Sequence, residues 1–349
     1  MSKRADRRKR SLRIHYGKTI LIFLFLTTLG LILGGILPAH LFAEPTTTTT
    51  TTTTTLPPEN PPVITSLVAN GVTDGQWADA TPWADVKKHP VIEYTSLTAR
   101  SGVVHPAYTR AYAVWMRVHD LSFGLYPGST GPGRIPSGQR GPETVPATGR
   151  PNLLGYFNSG FYEPPLVGGQ LAGFYTNKKT FFPFTNGLAT LVTYADGSAD
   201  VVAWPYGSRV PSNVVTARQN LTLMVANNHV VNLGKNFYYW GLTLTVAPNG
   251  WRSGIGVDSR GNLIYAAANY QSPASLAALF VRLGAVRAME LDINQAWPLY
   301  TTFSGPNAVG GVMRIANPHQ YVDRFLRAGT TKDFVAVYRR NDATIPPPW

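Results

Sequence analysis

The octet Arg287-Ala288-Met289-Glu290-Leu291-Asp292-Ile293-Asn294 sets two carboxylates two residues apart in a stretch that reads as a buried strand, Val286 to Ile293. Alternating side-chain direction would put Glu290 and Asp292 on one face and Leu291 on the other. Two acids facing the same way are costly to hold in a core, and acid/base chemistry uses such a pair. Three more segments carry polar groups among aromatics or glycines. Gly155-Tyr156-Phe157-Asn158-Ser159-Gly160-Phe161-Tyr162 offers an amide at a turn with rings on both sides. Ala217-Arg218-Gln219-Asn220 opens a strand with donors, and Trp251-Arg252-Ser253-Gly254-Ile255-Gly256 places Arg252 before a Gly-spaced strand.

The elements that must position these residues read mostly as strands. Asp-Gly at 196–197, Asn-Asn at 227–228 and Asp258 to Gly261 each separate two apolar alternating runs, which predicts three hairpins. Ser272 suits a helix N-cap, Pro273 the first helical position, Leu276, Leu279, Phe280 and Leu283 an apolar stripe, and Gly284 the stop. Strand, helix and strand from Leu263 to Ile293 would form a crossover unit, with both acids at the carboxyl end of a parallel strand. Ala111 to His119 and Phe334 to Tyr338 read as strands, Gln320 to Leu326 as a helical piece, and Pro127 to Pro151 as a long loop. The expected class is α+β: a mixed, largely antiparallel sheet with flanking helices, after one transmembrane helix and a disordered Thr/Pro stalk.

The N-terminal region carries that last expectation. Residues 1–18 hold eight Lys or Arg against Asp6 alone, more than half of the chain's net +13. An uncharged apolar run begins at Thr19, about the length needed to cross a bilayer. With positive charge inside, residues 1–18 would be cytoplasmic, 19–43 a signal anchor in the cell membrane, and 63–345 an extracytoplasmic domain. A cleaved signal peptide is the rival reading. Ten threonines at 46–55 and the prolines after them give the linker 44–62. The charge in that basic tag does not argue for nucleic acid, and the moderately basic remainder suits an anionic partner or merely solubility. No cysteine is present, so stability must come from a core.

The four segments, in this order, resemble the phosphodiester glycosidase family, to which N-acetylglucosamine-1-phosphodiester alpha-N-acetylglucosaminidase, the uncovering enzyme, belongs. Members carry an Asn-Gly-Gly-Phe-Phe-like turn, an Arg opening a Gly-containing strand, a capped helix ending Leu-Gly-Ala, and a strand ending Leu-Asp-Gly-Gly. The matching places here are Asn158 to Tyr162, Arg252 to Gly256, Leu283-Gly284-Ala285 and Leu291 to Asn294. The likeness covers residues 150–300, and the last segment is similar to a bacterial membrane-anchored branch. Ile293-Asn294 stands where the family has Gly-Gly.

The resemblance implies a membrane-anchored, outward-facing hydrolase that cleaves a sugar from a glycosyl phosphodiester in a cell-envelope polymer or its precursor. The leaving phosphate needs little protonation but favours a cation, so Arg252 and Arg218 would bind it. Asp292, or second Glu290, would attack the anomeric carbon or activate water. Asn158 and Asn294 would hold hydroxyls or phosphate, and Tyr162, Trp240 and Trp297 would offer stacking surface. Plainer roles stand beside these: Arg252 and Asp292 as a structural ion pair, Glu290 as the partner of a neighbouring base, Asn158 as a left-handed turn residue, and the tryptophans as core. The lost Gly-Gly favours a non-catalytic carbohydrate or wall-binding module, and an ordinary O-glycosidase would need a second acid, Glu290 or Glu163. No metal-ligand spacing or cofactor motif is present, so no metal or cofactor is expected. The partners expected are a glycan or glycosyl-phosphate polymer and the membrane.

Overall fold

The hydrophobic alternation resolves into three antiparallel sheets. The computed structural model describes residues 60–68, 74–136, 138–162, 172–234, 239–241 and 250–340, all within the unit Leu56–Trp349. The largest sheet has eight strands in the spatial order Ala78–Asp79, Ile92–Arg100, Tyr108–Met116, Leu263–Gln271, Gly250–Asp258, Ala285–Glu290, Val225–Ala226 and His229–Val230. A five-stranded sheet runs Lys179–Phe182, Phe174–Thr176, Val214–Gln219, Ala189–Tyr194 and Ala199–Ala203. A second runs Val309–Met313, Tyr300–Gly305, Leu153–Asn158, Phe334–Arg339 and Leu121–Tyr126.

The chain is therefore mostly β, which corrects the expected helix-flanked α+β class. Among the described residues the α-helix is Pro273–Arg282, capped by Ser272 through a reciprocal bond with Ser275. The stretch from Gln320 yields only the short turn Arg324–Leu326, since a segment that short does not sustain a helix without a packed stripe. No helix among the described residues is long and apolar enough to cross a membrane. The transmembrane element of the expected fold and the cell-membrane location built on it thus find no such helix among the described residues, and the segment 19–43 itself lies outside them. The stretch 63–150 holds more strands than its irregular composition suggests, including Ile92–Arg100 and Leu121–Tyr126.

All three hairpins form. Asn227 and Asn228 both take positive φ, as a two-residue hairpin turn requires, and Gly197 and Gly261 do the same at the other two. The crossover differs in one respect. Leu263–Gln271 and Ala285–Glu290 each pair antiparallel with Gly250–Asp258, so they are parallel to each other but separated by that strand.

The three sheets meet in a central core that takes Val114, Ile255 and Met289 from the first, Phe174 and Leu191 from the second, and Phe157 and Val335 from the third. The other face of the large sheet buries Trp115, Ala266 and Ala288 under Leu276, Leu279 and Phe280 of the helix. Each such large side chain contributes about 2 kcal/mol when removed from water. The Gly254-Ile255-Gly256 spacing has its cause here: a Cβ at Gly254 would lie 2.7 Å from the Phe280 ring, so glycine lets the ring rest on the strand.

At the edge of the large sheet, Glu93 stands directly across from Asp79, with Asp85 close by. Burial first, and then Asp79, push Glu93 up from the usual 4.5 to about 7 and Asp85 from 3.8 to about 6. A carboxyl whose folded affinity for protons is raised stabilises the fold below its unfolded value and loses that contribution as pH climbs through the folded one. The folded state is thus expected to weaken between pH 5 and pH 8. Glu93→Gln should flatten that slope by about 1 kcal/mol after allowing for solvent screening, measured by urea unfolding at both pH values; an unchanged slope refutes it.

Candidate active site

Asn158 ends the strand Leu153–Asn158 and is 1% exposed. Its Nδ2 donates to Ser253 Oγ at 2.9 Å and to the Asp292 carbonyl at 3.4 Å, while Oδ1 accepts from Tyr265 OH at 2.7 Å and Leu299 N at 3.1 Å. Both lone pairs and both protons are engaged within the protein, and the residue is absent from the left-handed set. It ties three chain segments together beneath the site. Asn158→Ala would strand a buried hydroxyl and a buried amide, with an expected loss of about 2–4 kcal/mol in chemical denaturation; a loss within the scatter of surface substitutions would contradict this.

Arg252 and Glu290 form an ion pair at 2.5 Å, and both side chains are fully buried. The pairing follows from register. Gly254 lies opposite Glu290, and Arg252, two residues along, shares that face. Arg252 also donates to the Gln271 carbonyl at 3.0 Å and the Trp240 carbonyl at 2.8 Å. Burial pushes Glu290 up to about 7, with Asp292 adding to the rise and Arg252 opposing it, and its Oε2 makes no hydrogen bond.

The expected pairing of Arg252 with Asp292 is not what forms. The strand stops at Glu290, so Asp292 lies in the loop beyond it and meets a different cation. Its Oδ2 is 2.6 Å from Lys332 Nζ, and its Oδ1 accepts from Asn294 N at 2.9 Å. The Asp292 amide donates to Ser159 O at 2.9 Å. Asn294 Oδ1 in turn accepts from Ala296 N at 3.1 Å. Two successive side-chain turns of this kind fold the loop back and bring Trp297 alongside Lys332, whose ammonium is 6.0 Å from that ring centroid and 5.9 Å from the Tyr162 ring. Ile293 and Asn294 thus have a structural use in place of Gly-Gly: Ile293 is buried and Asn294 shapes the turn.

Arg218 is almost fully buried. It donates to Asp333 Oδ2 at 2.9 Å and to the carbonyls of Gln219 and Phe161, and so fixes the turn that presents Tyr162. Gly160 lies against this guanidinium, where a Cβ would come within 3.0 Å of its central carbon. Asn220 adds a second brace, accepting from Phe161 N and donating to the Glu290 carbonyl at 2.8 Å. Trp240 is buried in the core beneath the helix.

The structure therefore brings the sequence-derived residues together but divides them in two. Asn158, Arg218, Arg252 and Glu290 form the innermost scaffold; Asp292 and Lys332, also mostly buried, pair beside the rings of Tyr162 and Trp297, with the Asn294 amide bracing Asp292. Sequence reasoning missed Lys332 and Asp333. Their one signal was position, immediately before the predicted strand at Phe334, which pairs with Asn158. The Gly/Pro-rich loop read at 127–151 supports them. Arg140 donates to the carbonyls of Gly128 at 2.8 Å, Gly131 at 2.6 Å and Gly133 at 2.8 Å, and Gly128 packs directly on the Lys332 backbone. Among the described residues no cluster of His, Asp and Glu has the arrangement of a metal site.

No family model matches the chain, and no curated protein does. Among solved structures it is similar to the catalytic domain of zebrafish N-acetylglucosamine-1-phosphodiester alpha-N-acetylglucosaminidase, auto-inhibited by its pro-peptide, at 14% identity and a TM-score of 0.48, over 76% of this chain and 88% of that one. It is also similar to a hypothetical protein from Synechocystis, at 12% identity and a TM-score of 0.38, over 73% of this chain and 63% of that one. Neither likeness assigns a role to any residue, so the chemistry rests on the site's own geometry.

Proposed function

We propose that the chain is a hydrolase that removes a sugar from a glycosyl phosphodiester, within a glycan or glycosyl-phosphate polymer. The observation that carries this reading is the Asp292–Lys332 pair at 2.6 Å beside the Tyr162 and Trp297 rings. A sugar face stacks on aromatic rings, a carboxylate faces the anomeric carbon, and an ammonium stands where negative charge gathers on the leaving phosphate. Asp292 either takes a proton from a water that attacks that carbon, or attacks the carbon itself to form a glycosyl ester that water then hydrolyses to release the sugar. The bond from the anomeric carbon to the phosphate oxygen breaks, and its electrons leave with the phosphate. Substrate phosphate competes with Asp292 for Lys332 and so frees the carboxylate. The phosphate-binding role expected of Arg252 and Arg218 passes to Lys332: both arginines are sealed in the interior, whereas the Lys332–Asp292 pair, though mostly buried, lies beside the exposed Tyr162 ring.

A second reading, a carbohydrate-binding module without turnover, is favoured by one observation: each Asp292 oxygen already has a partner. An ordinary O-glycosidase finds less support, since Glu290 is sealed beneath Arg252, and Glu163 lies outside the described residues. Incubating the full chain with a sugar-1-phosphodiester and with a nitrophenyl glycoside separates the three. Sugar release from the diester alone is the expected result. Release from the nitrophenyl glycoside at a similar rate would favour the O-glycosidase, and binding without release would favour the module.

A further inference from the structure

Arg324 sits against two aromatic rings, and the adjacent Asp323 pairs with Arg327 instead of with it. Its guanidinium carbon is 4.2 Å from the Trp297 ring centroid and 5.2 Å from that of Tyr321. Nη1 donates to Gln320 Oε1 at 3.0 Å, and the buried Nε makes no hydrogen bond. Among the described residues no carboxylate lies within 4.0 Å of it. The neighbouring cations differ: Lys332 is matched by Asp292, Arg327 by Asp323, and Arg218 by Asp333. A partly buried guanidinium without a counter-ion is costly unless an anion joins it, and its planar fork suits a phosphate.

The arginine is also held in place before any ligand arrives. Gln320, which accepts from Arg324, donates to the Ala296 carbonyl. Asn317 donates to the Gln295 carbonyl at 2.8 Å and to that of Pro298 at 3.0 Å. The segment 317–324 is thereby fastened to the loop that carries Trp297. Trp297 contacts Lys332 as well as Arg324, so one ring links the acid–ammonium pair to the unmatched guanidinium.

We infer that Arg324 is a phosphate-binding residue of this site, taking the phosphate of a glycosyl phosphate whose sugar lies toward Asp292. This rests on the hydrolase reading for the identity of the sugar-phosphate but is tested by binding alone. The full chain is titrated by calorimetry with a methyl glucosyl phosphodiester, with inorganic phosphate and with neutral methyl glucoside, as wild type, Arg324→Ala, Arg324→Lys and Arg327→Ala. The diester is expected to bind more tightly than either control. Arg324→Ala should weaken it about tenfold or more and Arg324→Lys by less, with Arg327→Ala within about twofold of wild type. Binding that follows Arg324 while no sugar is released would uphold this inference and sink the hydrolase reading. Equal affinity in wild type and Arg324→Ala, no binding by wild type, or inorganic phosphate binding as tightly as the diester would overturn it.

Discussion

Asp292→Asn is expected to lower sugar release from a glycosyl phosphodiester by roughly a thousandfold, which corresponds to about 4 kcal/mol of transition-state stabilisation. The substitution keeps the shape of the side chain and an oxygen able to accept from Asn294 N, so the loop should hold its fold. It removes the charge that would meet the anomeric carbon and the counter-charge of Lys332. Lys332→Met tests the other half of the pair. It should leave the carboxylate in place but deprive the leaving phosphate of its cation, lowering the rate for diesters far more than for neutral glycosides. A thermal melt of each variant separates lost chemistry from lost folding. Asp292→Asn retaining more than about a tenth of wild-type release would show that the carboxylate is not the reacting group.

Arg252→Ala should destabilise the fold by about 3–5 kcal/mol, because it leaves Glu290 buried without its cation. Replacing both partners with apolar residues of similar volume, Arg252→Met with Glu290→Leu, should recover most of that loss. The deficit of the single variant also has a pH signature. Glu290 is already raised to about 7 against the usual 4.5, and removing the arginine takes away the interaction that opposes the rise. A raised carboxyl contributes stability below its unfolded value and loses it as pH climbs through the folded one. The deficit should therefore be smaller at pH 5 than at pH 8 in urea unfolding. A deficit independent of pH would mean that Glu290 is not the stranded group.

Local chemistry made part of this structure legible in the sequence. Asn227-Asn228, Asp196-Gly197 and Gly261 need backbone conformations that few residues adopt, and Ser272, Pro273 and Gly284 punctuate the helix; all act within a few residues of themselves. The polar segments around Asn158, Arg218, Arg252 and Asp292 were visible for the same reason. Their pairing was not, because it depends on where the strand ends. Had Ala285–Glu290 run two residues further, Asp292 would have stayed on the Arg252 face; ending at Glu290, it turns to Lys332. Lys332 gave no periodic signal of its own, being a single residue in a loop about forty positions from its partner. Asn158 looked like a ligand-facing amide because buried amides and exposed ones are indistinguishable by type. Two strands were hidden for different reasons: Ile92–Arg100 buries the polar Thr95 on the face of Leu97 and Ala99, and Leu121–Tyr126 is buried at every position, so the period-two pattern that marks a half-exposed strand never arises there.

The most direct test of the account is a crystal structure of the Asp292→Asn chain soaked with a glycosyl phosphodiester. The account predicts the anomeric carbon within about 3.5 Å of the residue 292 side chain, the sugar ring against Tyr162 or Trp297, and the phosphate on the Lys332 side. A sugar bound elsewhere, with residue 292 facing only Lys332, would contradict it.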